Sequence, residues 1–313
     1  MVAGGLQATG SALSTVIGEQ KRWSGTAASL KNSIEQARRT VLWLAVLGAI
    51  LETLAAQFAH VSQIEQLKAA HAAHSGLAMT LGYLGAAALA VAAVVRQWKL
   101  GHERAQAWIL SRAGSESLKR EIYRYRTQTG PYSPASTSTN PDLELLNQRE
   151  EILKKLEPYQ KYAVDIQPNT TPLSLLDAAG YLDERVSGPK GNVKFFYDRS
   201  NQYIRALNLL NGAQFTLAIL GALLGVAVTL TGTQTYGAWV AVITTITGAL
   251  AAHTLAQRYE QLTISYRATG QRLEGAVARW QSAGSTKLGD LVEACENILL
   301  EENQSWIAGA DQR

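Results

Sequence analysis

The most unusual residue of this sequence is a carboxylate inside an apolar run. Glu52 lies in VLWLAVLGAILETLAAQFA, residues 41–59, with no other acid or base beside it. An ionisable group at the centre of an apolar helix costs about 2.5–3.5 kcal/mol on insertion scales for Asp, Lys or Arg, so it faces a protein interior or a watery cavity. On a helix Glu52 shares a face with the small residues Gly48, Ala55 and Ala59, and that arrangement suits two chemistries. As a pore-lining acid between Gly48 and Ala55 it favours cations or carries a proton. As a packing residue it is protonated, or hydrogen-bonded to a threonine of a neighbouring helix. A second stripe, Thr244, Thr247, Ala251 and Thr254, offers hydroxyls either to pore water or to its own helix backbone.

No catalytic set accompanies these residues. Cys295, the lone cysteine, sits in the helix-like LVEACENILLEEN with no evident His partner, as a small buried thiol would. His71 and His74 are three apart with His60 nearby, but two imidazoles without a third ligand read as solvated loop histidines rather than a metal site. No Walker loop, dinucleotide fingerprint, HExxH or nucleophile elbow occurs. The expectation is a protein that is not an enzyme and holds no metal and no cofactor. Net charge is only +4, so a pI near 9.1 gives no case for a nucleic-acid partner.

The elements that position Glu52 follow from hydropathy. Charged residues make up 17% of the chain, against roughly 25% in soluble domains. The depletion is concentrated in four windows, Val41 to Ala59, Leu77 to Val95, Ala213 to Thr231 and Gly237 to Ala256, whose only Asp, Glu, Lys or Arg is Glu52. Nineteen helical residues span roughly 28 Å, close to the bilayer core of about 30 Å. Buried core helices are seldom apolar on every face for five turns. The expected class is therefore an all-α membrane protein with four transmembrane helices. Residues 1–20 contain no Lys or Arg, so the first span is expected to act as its own insertion signal. Only Lys68 falls in the short loops 60–76 and 232–236, whereas fifteen Lys and Arg lie within 20 residues of the opposite span ends. That asymmetry predicts cytoplasmic termini and a cytoplasmic central region. Trp43, Trp98, Tyr236 and Trp239 at span ends fit interfacial anchors.

The chain also resembles itself. Residues 44–51 read LAVLGAIL and residues 217–224 read LAILGALL; Arg112, Ala113, Leu118, Arg124 and Tyr125 match Arg267, Ala268, Leu273, Arg279 and Trp280 at a constant offset of 155. This implies two two-span helical repeats, 20–126 and 189–307, separated by a flexible Ser/Thr/Pro/Gly-rich linker at 127–141 and connecting cytoplasmic helices in 142–188. Within the connector, 142–156 and 173–186 read as helices. Proline is absent from 77–127 and 237–283, which predicts unbroken helices of roughly 70 Å leaving the membrane and pairing back as two long helical hairpins. Gly225 occupies the second repeat's equivalent of Glu52. Gly221 and Gly225 form GxxxG, and Gly82 and Gly85 make the second span small-faced, for close helix packing within or between chains.

AWILSRAGSESLKREIYRYRTQTGPY at 107–132, SYRATGQRLE at 265–274, LVEACENILLEENQSWI at 291–307 and the pre-span segments QKRWSGTAASLKNSIEQAR and YLDERVSGPKGNVKFFYDRSNQYI together resemble the SLATT family, two-span domains associated with SMODS nucleotidyltransferases and SLOG sensors. The similarity covers nearly all of 20–307 and suggests a tandem fusion of two copies. The resemblance implies a bacterial inner-membrane effector of conflict or stress systems, such as anti-phage defence, acting once a cytoplasmic sensor or regulatory protein detects a signal. It brings no catalytic residues. Four thin helices cannot comfortably enclose a water path alone, so a conducting form is expected to be a homo-oligomer in the lipid bilayer, cation-conducting and gated through its cytoplasmic helices. The alternative is a non-conducting membrane scaffold that recruits cytoplasmic partners. An inverted-repeat transporter is disfavoured, because an even number of spans per repeat orients both copies alike.

Overall fold

The computed structural model describes residues 3–62, 71–136, 140–165, 173–232, 234–284 and 287–311. Every regular element among them is helical. The α-helices are α1 (Ala3–Ser62), α2 (His71–Lys99), α3 (His102–Arg126), α4 (Pro141–Leu156), α5 (Ala178–Tyr181), α6 (Asn192–Thr231), α7 (Gln234–Gln257), α8 (Tyr259–Ser282) and α9 (Leu288–Asp311). They form two compact units that cut across the sequence repeats instead of separating them. A polar unit holds Met1–Asn32, His102–Asn201 and Leu262–Arg313, and an apolar unit holds Ser33–Gly101 and Gln202–Gln261. The helices α1, of 60 residues, and α6, of 40, pass from one unit into the other without a break.

The polar unit is built as a soluble bundle. Leu13, Val16, Ile17 and Trp23 of α1 bury against Leu118, Ile122 and Tyr125 of α3, with Tyr132, Leu145 and Leu156 completing the core. Fully burying one such aliphatic side chain contributes about 1.5–3 kcal/mol. Local chemistry starts α4 where the sequence places it. Pro141 occupies the first turn, and the Asn140 side chain accepts from the Asp142 and Leu143 amides at 3.0 and 3.3 Å. The apolar unit inverts the pattern. Trp43, Trp98 and Leu230 are 69%, 74% and 80% exposed, and Leu209, Phe215, Leu223 and Leu255 also face outward. Among the described residues four helices are long and apolar enough to cross a membrane. Outward Leu and Phe at this density suit hydrocarbon solvent and no aqueous one.

Three expectations are corrected. The helices predicted to run unbroken through 77–127 and 237–283 are each interrupted. Gly101 separates α2 from α3, and Arg258, with φ of 52°, separates α7 from α8. Absence of proline permits a long helix but does not require one. Lys99 in a last turn, Gly101 two residues on, and Glu103 in a first turn are stop and start signals in their own right. The helix read over 173–186 begins only at Ala178, because Asp177 caps it by accepting from the Gly180 amide at 2.8 Å. Residues 173–177 instead meet the end of α3, where the Leu176 amide donates to the Arg126 carbonyl at 2.8 Å. A π-helical turn, Leu182–Val186, follows. Within the supposed flexible linker, Thr127, Thr129 and Tyr132 are buried, and Tyr132 donates from its hydroxyl to Glu121 at 2.7 Å. Of that segment, residues 137–139 lie outside the described residues.

Close packing of α3 on α4 depends on Gly114. A β-carbon there would stand 3.0 Å from Leu156 Cδ2 and closer still to Cδ1. Gly114→Val is expected to destabilise the polar unit by about 1–3 kcal/mol through overpacking. Gly275→Ala, whose added carbon meets only an Arg279 nitrogen at 3.4 Å, should be neutral or gain helix propensity. Thermal unfolding followed by far-UV circular dichroism separates the two outcomes.

Candidate functional site

Glu52 sits on a seam between α1 and α2. Gly48 is buried, and a β-carbon on it would meet Leu89 at 2.8 Å and the Gly85 carbonyl at 3.3 Å. Ala55 packs at Gly82, where an added carbon would stand 3.8 Å away. Between them Glu52 lays its side chain over Gly85, its Cγ and Oε1 both 3.0 Å from where a β-carbon would be. Small residues thus bring two backbones together and leave a groove that only a long side chain can follow. As a residue Glu52 is nevertheless exposed in the apolar unit. The structure therefore brings together Gly48, Glu52, Ala55, Gly82 and Gly85, all five from the sequence-derived set.

The threonines belong to a different place. Thr244, Thr247 and Thr254 each donate to the carbonyl four residues earlier, Val240, Ile243 and Leu250, at 2.9, 2.8 and 2.9 Å. Their protons are satisfied by their own helix, which leaves the hydroxyl oxygens as acceptors. Thr254 uses one, accepting from Gln214 of α6 at 3.5 Å. Gln214 is a polar group within the third span that the charge-based reading passed over. In the GxxxG pair, an added carbon on Gly221 would meet Ile243 of α7 at 3.3 Å, whereas Gly225 has nothing within 4 Å. Gly221 is thus a packing position within the chain and Gly225 an open one. The side chains of His60, His71 and His74 lie outside the described residues.

The polar unit contains a second, unforeseen constellation. Arg112, Glu116, Arg120 and Arg124 recur every four residues along one face of α3, and α9 and the π turn answer them. Arg112 pairs with Glu302 at 3.1 Å, Arg120 with Glu293 at 3.7 Å, and Arg124 with both Glu293 and Glu121. At the centre Arg185, 1% exposed, forks onto Glu296, 0% exposed, with both nitrogen–oxygen distances 2.9 Å. Tyr181 donates to the same carboxylate at 3.1 Å, and Glu116 stands 3.6 Å from the remaining Arg185 nitrogen. The guanidinium lies 5.0 Å from the Tyr123 ring centre, a cation–π contact. Burial opposes the Arg185 charge, but Glu296 and then Glu116 overcome it, so its pKa is raised. The sequence signal existed as charges at i, i+4 spacing on α3; its partners, some 70 to 190 residues away, were not deducible from it.

Cys295 adjoins this cluster and is fully buried. Burial, reinforced by Glu296, pushes its thiol up to about 12. The structure thus places it in the core, without the lowered pKa that a nucleophile needs. Among the described residues no group of three or more His, Cys, Asp or Glu could hold a metal. The network has the geometry of a structural clamp: it joins the return helix of the first repeat to the last helix of the second.

Removing one partner of the clamp strands the other. Glu296→Ala is expected to cost about 3–5 kcal/mol by leaving Arg185 buried and unpaired, while Arg185→Met combined with Glu296→Leu should recover most of that loss. Melting temperatures of the two variants test this. The neutral thiol of Cys295 is favoured by the fold, so its contribution to stability is complete below the unfolded thiol's pKa of about 8.5 and is lost as pH rises through about 12. At pH 8, iodoacetamide should therefore leave Cys295 unlabelled in the native protein and label it on unfolding, as read by intact mass.

Residues 181–306 match the family model described as SMODS and SLOG-associating 2TM effector domain 1. Residues 21–140 match the model described as protein of unknown function DUF4231. No curated protein and no solved structure matches the chain. The two matched stretches contain one apolar hairpin each, α1–α2 and α6–α7, with the polar helices that flank them. The chain is a membrane protein of two such units in tandem, and the second of them, residues 181–306, matches the SLATT family of two-span effector domains.

Proposed function

We propose that this protein is a membrane effector of bacterial conflict or stress signalling that assembles as a homo-oligomeric, cation-conducting pore. The observation that carries the reading is the exposure of Glu52. Glu52 is an exposed acid in an otherwise apolar run, and among the described residues it has no hydrogen-bonding partner. In lipid such a group is costly, and a second copy of the chain or a water path removes that cost. Small residues at Gly48, Ala55, Gly82 and Gly85 leave it at the rim of a tight helix pair, where a narrow polar lining could form. Gly225, open on the equivalent position of the second repeat, lets a neighbouring helix approach closely.

Gating is assigned to the polar unit. Both α1 and α6 carry their backbone hydrogen bonds unbroken from the polar into the apolar unit, so a displacement of their first halves is transmitted along a stiff element. A cytoplasmic sensor or regulatory protein acting on the polar unit would bias two arrangements of the assembly. In this reading the protein sits in the bacterial inner membrane with both termini cytoplasmic, catalyses no reaction and binds no nucleic acid. A non-conducting scaffold is the competing reading, favoured by Thr244, Thr247 and Thr254, whose hydroxyl protons are already satisfied by their own backbones.

The test is conduction. Protein reconstituted in planar bilayers should pass cations, and Glu52→Gln should shift the reversal potential across a salt gradient toward zero selectivity. Unchanged reversal potentials would remove Glu52 from the pathway. A stable oligomer silent under every activator supports the scaffold.

A further inference from the structure

We infer that one end of the apolar unit carries a cationic collar that binds the headgroups of anionic phospholipids. Sequence places Arg39 on α1, Arg96 and Lys99 on α2, Arg205 on α6 and Arg258 after α7, far apart along the chain. The helix register brings them level. In the first hairpin Gly48 lies opposite Leu89, Glu52 opposite Gly85 and Ala55 opposite Gly82, which sets Arg39 beside Trp98 and Lys99. In the second, Gly221 lies opposite Ile243, Gln214 opposite Thr254, and the rings of Tyr203 and Tyr259 are 5.8 Å apart, which sets Arg205 beside Arg258. Arg38 ties the two hairpins at this height by donating to Gln257 at 3.2 Å.

All five collar cations are exposed. Arg258 donates to Gln261 at 2.6 Å, and among the described residues no ion pair occupies Arg39, Arg96, Lys99 or Arg205. The acids at this height are Glu35 and Glu260, so positive charge is in excess.

The height itself selects the partner. Arg39 is thirteen residues from Glu52, roughly 20 Å along a helix, and the headgroup region of a bilayer extends to about 20–22 Å from its centre. Exposed Trp43 and Trp98 mark the same level, where indole rings favour the interface. A phosphodiester carried by a lipid reaches this ring while its acyl chains cover the outward Leu and Val residues just beyond it. A free phosphate has no second contact of that kind. The collar is independent of whether the protein conducts.

The test uses the whole protein in a zwitterionic detergent, with palmitoyl-oleoyl phosphatidylglycerol, palmitoyl-oleoyl phosphatidylcholine or inorganic phosphate added. Native mass spectrometry counts retained lipid, and melting temperature reports stabilisation. Phosphatidylglycerol should be retained at least tenfold better than phosphatidylcholine, and each cation removed should lower retention about fivefold. The combined variant Arg39→Gln, Arg96→Gln, Lys99→Gln, Arg205→Gln, Arg258→Gln should lose the preference, and the matching variant with lysine at the four arginine positions should keep it. Should the neutral variant fail to fold, the wild type decides: its stabilisation by phosphatidylglycerol should vanish between 0.1 and 1 M salt, as the screening length falls from about 10 to about 3 Å. Equal retention of the two lipids, a neutral variant that retains phosphatidylglycerol as the wild type does, salt-insensitive stabilisation, or the full effect from inorganic phosphate alone would each overturn the collar.

Discussion

Hydrocarbon offers no partner to a peptide N–H or C=O, and this constraint orders the molecule. Inside a bilayer each backbone group must be satisfied within its own segment, which leaves helices as the economical solution for short spans. The four apolar helices obey it, and even their threonines turn inward to their own carbonyls. Once the backbone is closed, outward side chains are free to be leucine, valine and phenylalanine, as they are here. Any polar side chain that remains, such as Glu52 or Gln214, then stands out as an unsettled account between packing and function.

The same helices obey a different solvent at their other ends. In α1 the polar half buries one stripe, Leu13, Val16, Ile17 and Trp23, and leaves the rest polar. Its apolar half does the reverse, exposing hydrophobic groups and burying Gly48 and Ala55. A single hydrogen-bonded rod thus carries two opposite burial patterns, and the change falls near Asn32 and Ser33, where the two units meet in sequence. The polar unit is bound together by charge as well as by core. Arg185 and Glu296 are deeply buried, and such a pair is worth more as a constraint on register than as net stability, since taking both charges out of water offsets much of their attraction. The pair joins the middle connector to the last helix, while Arg112 and Glu302 join the two repeats, so the polar unit draws its ion pairs from both repeats.

Much of this was legible from residue order. The apolar windows, the small-faced seam around Glu52, the burial of Cys295 and the helix opened by Asn140 and Pro141 all follow from patterns within a few turns of chain. The breaks at Gly101 and Arg258 were partly legible. Lys99, Gly101 and Glu103 form a stop and start signal that a search for proline alone overlooks. Arg258 adopts positive φ without being glycine, and nothing local announces that. The turn through Thr127, Thr129 and Tyr132 looked like a linker by composition, yet burial of Tyr132 against Tyr125, with ring centres 5.6 Å apart, makes it part of the core.

Residue order determined which stretches lie in lipid and which in water, because transfer free energy depends on composition summed over a window and needs no knowledge of neighbours. Tertiary structure alone decided which carboxylate answers Arg185, that Glu52 rests on Gly85, and that cations from three helices and the α7–α8 break share one height. Those are matters of register between segments distant in sequence, and register is settled by the fit of side chains across a contact that does not exist until the chain has folded.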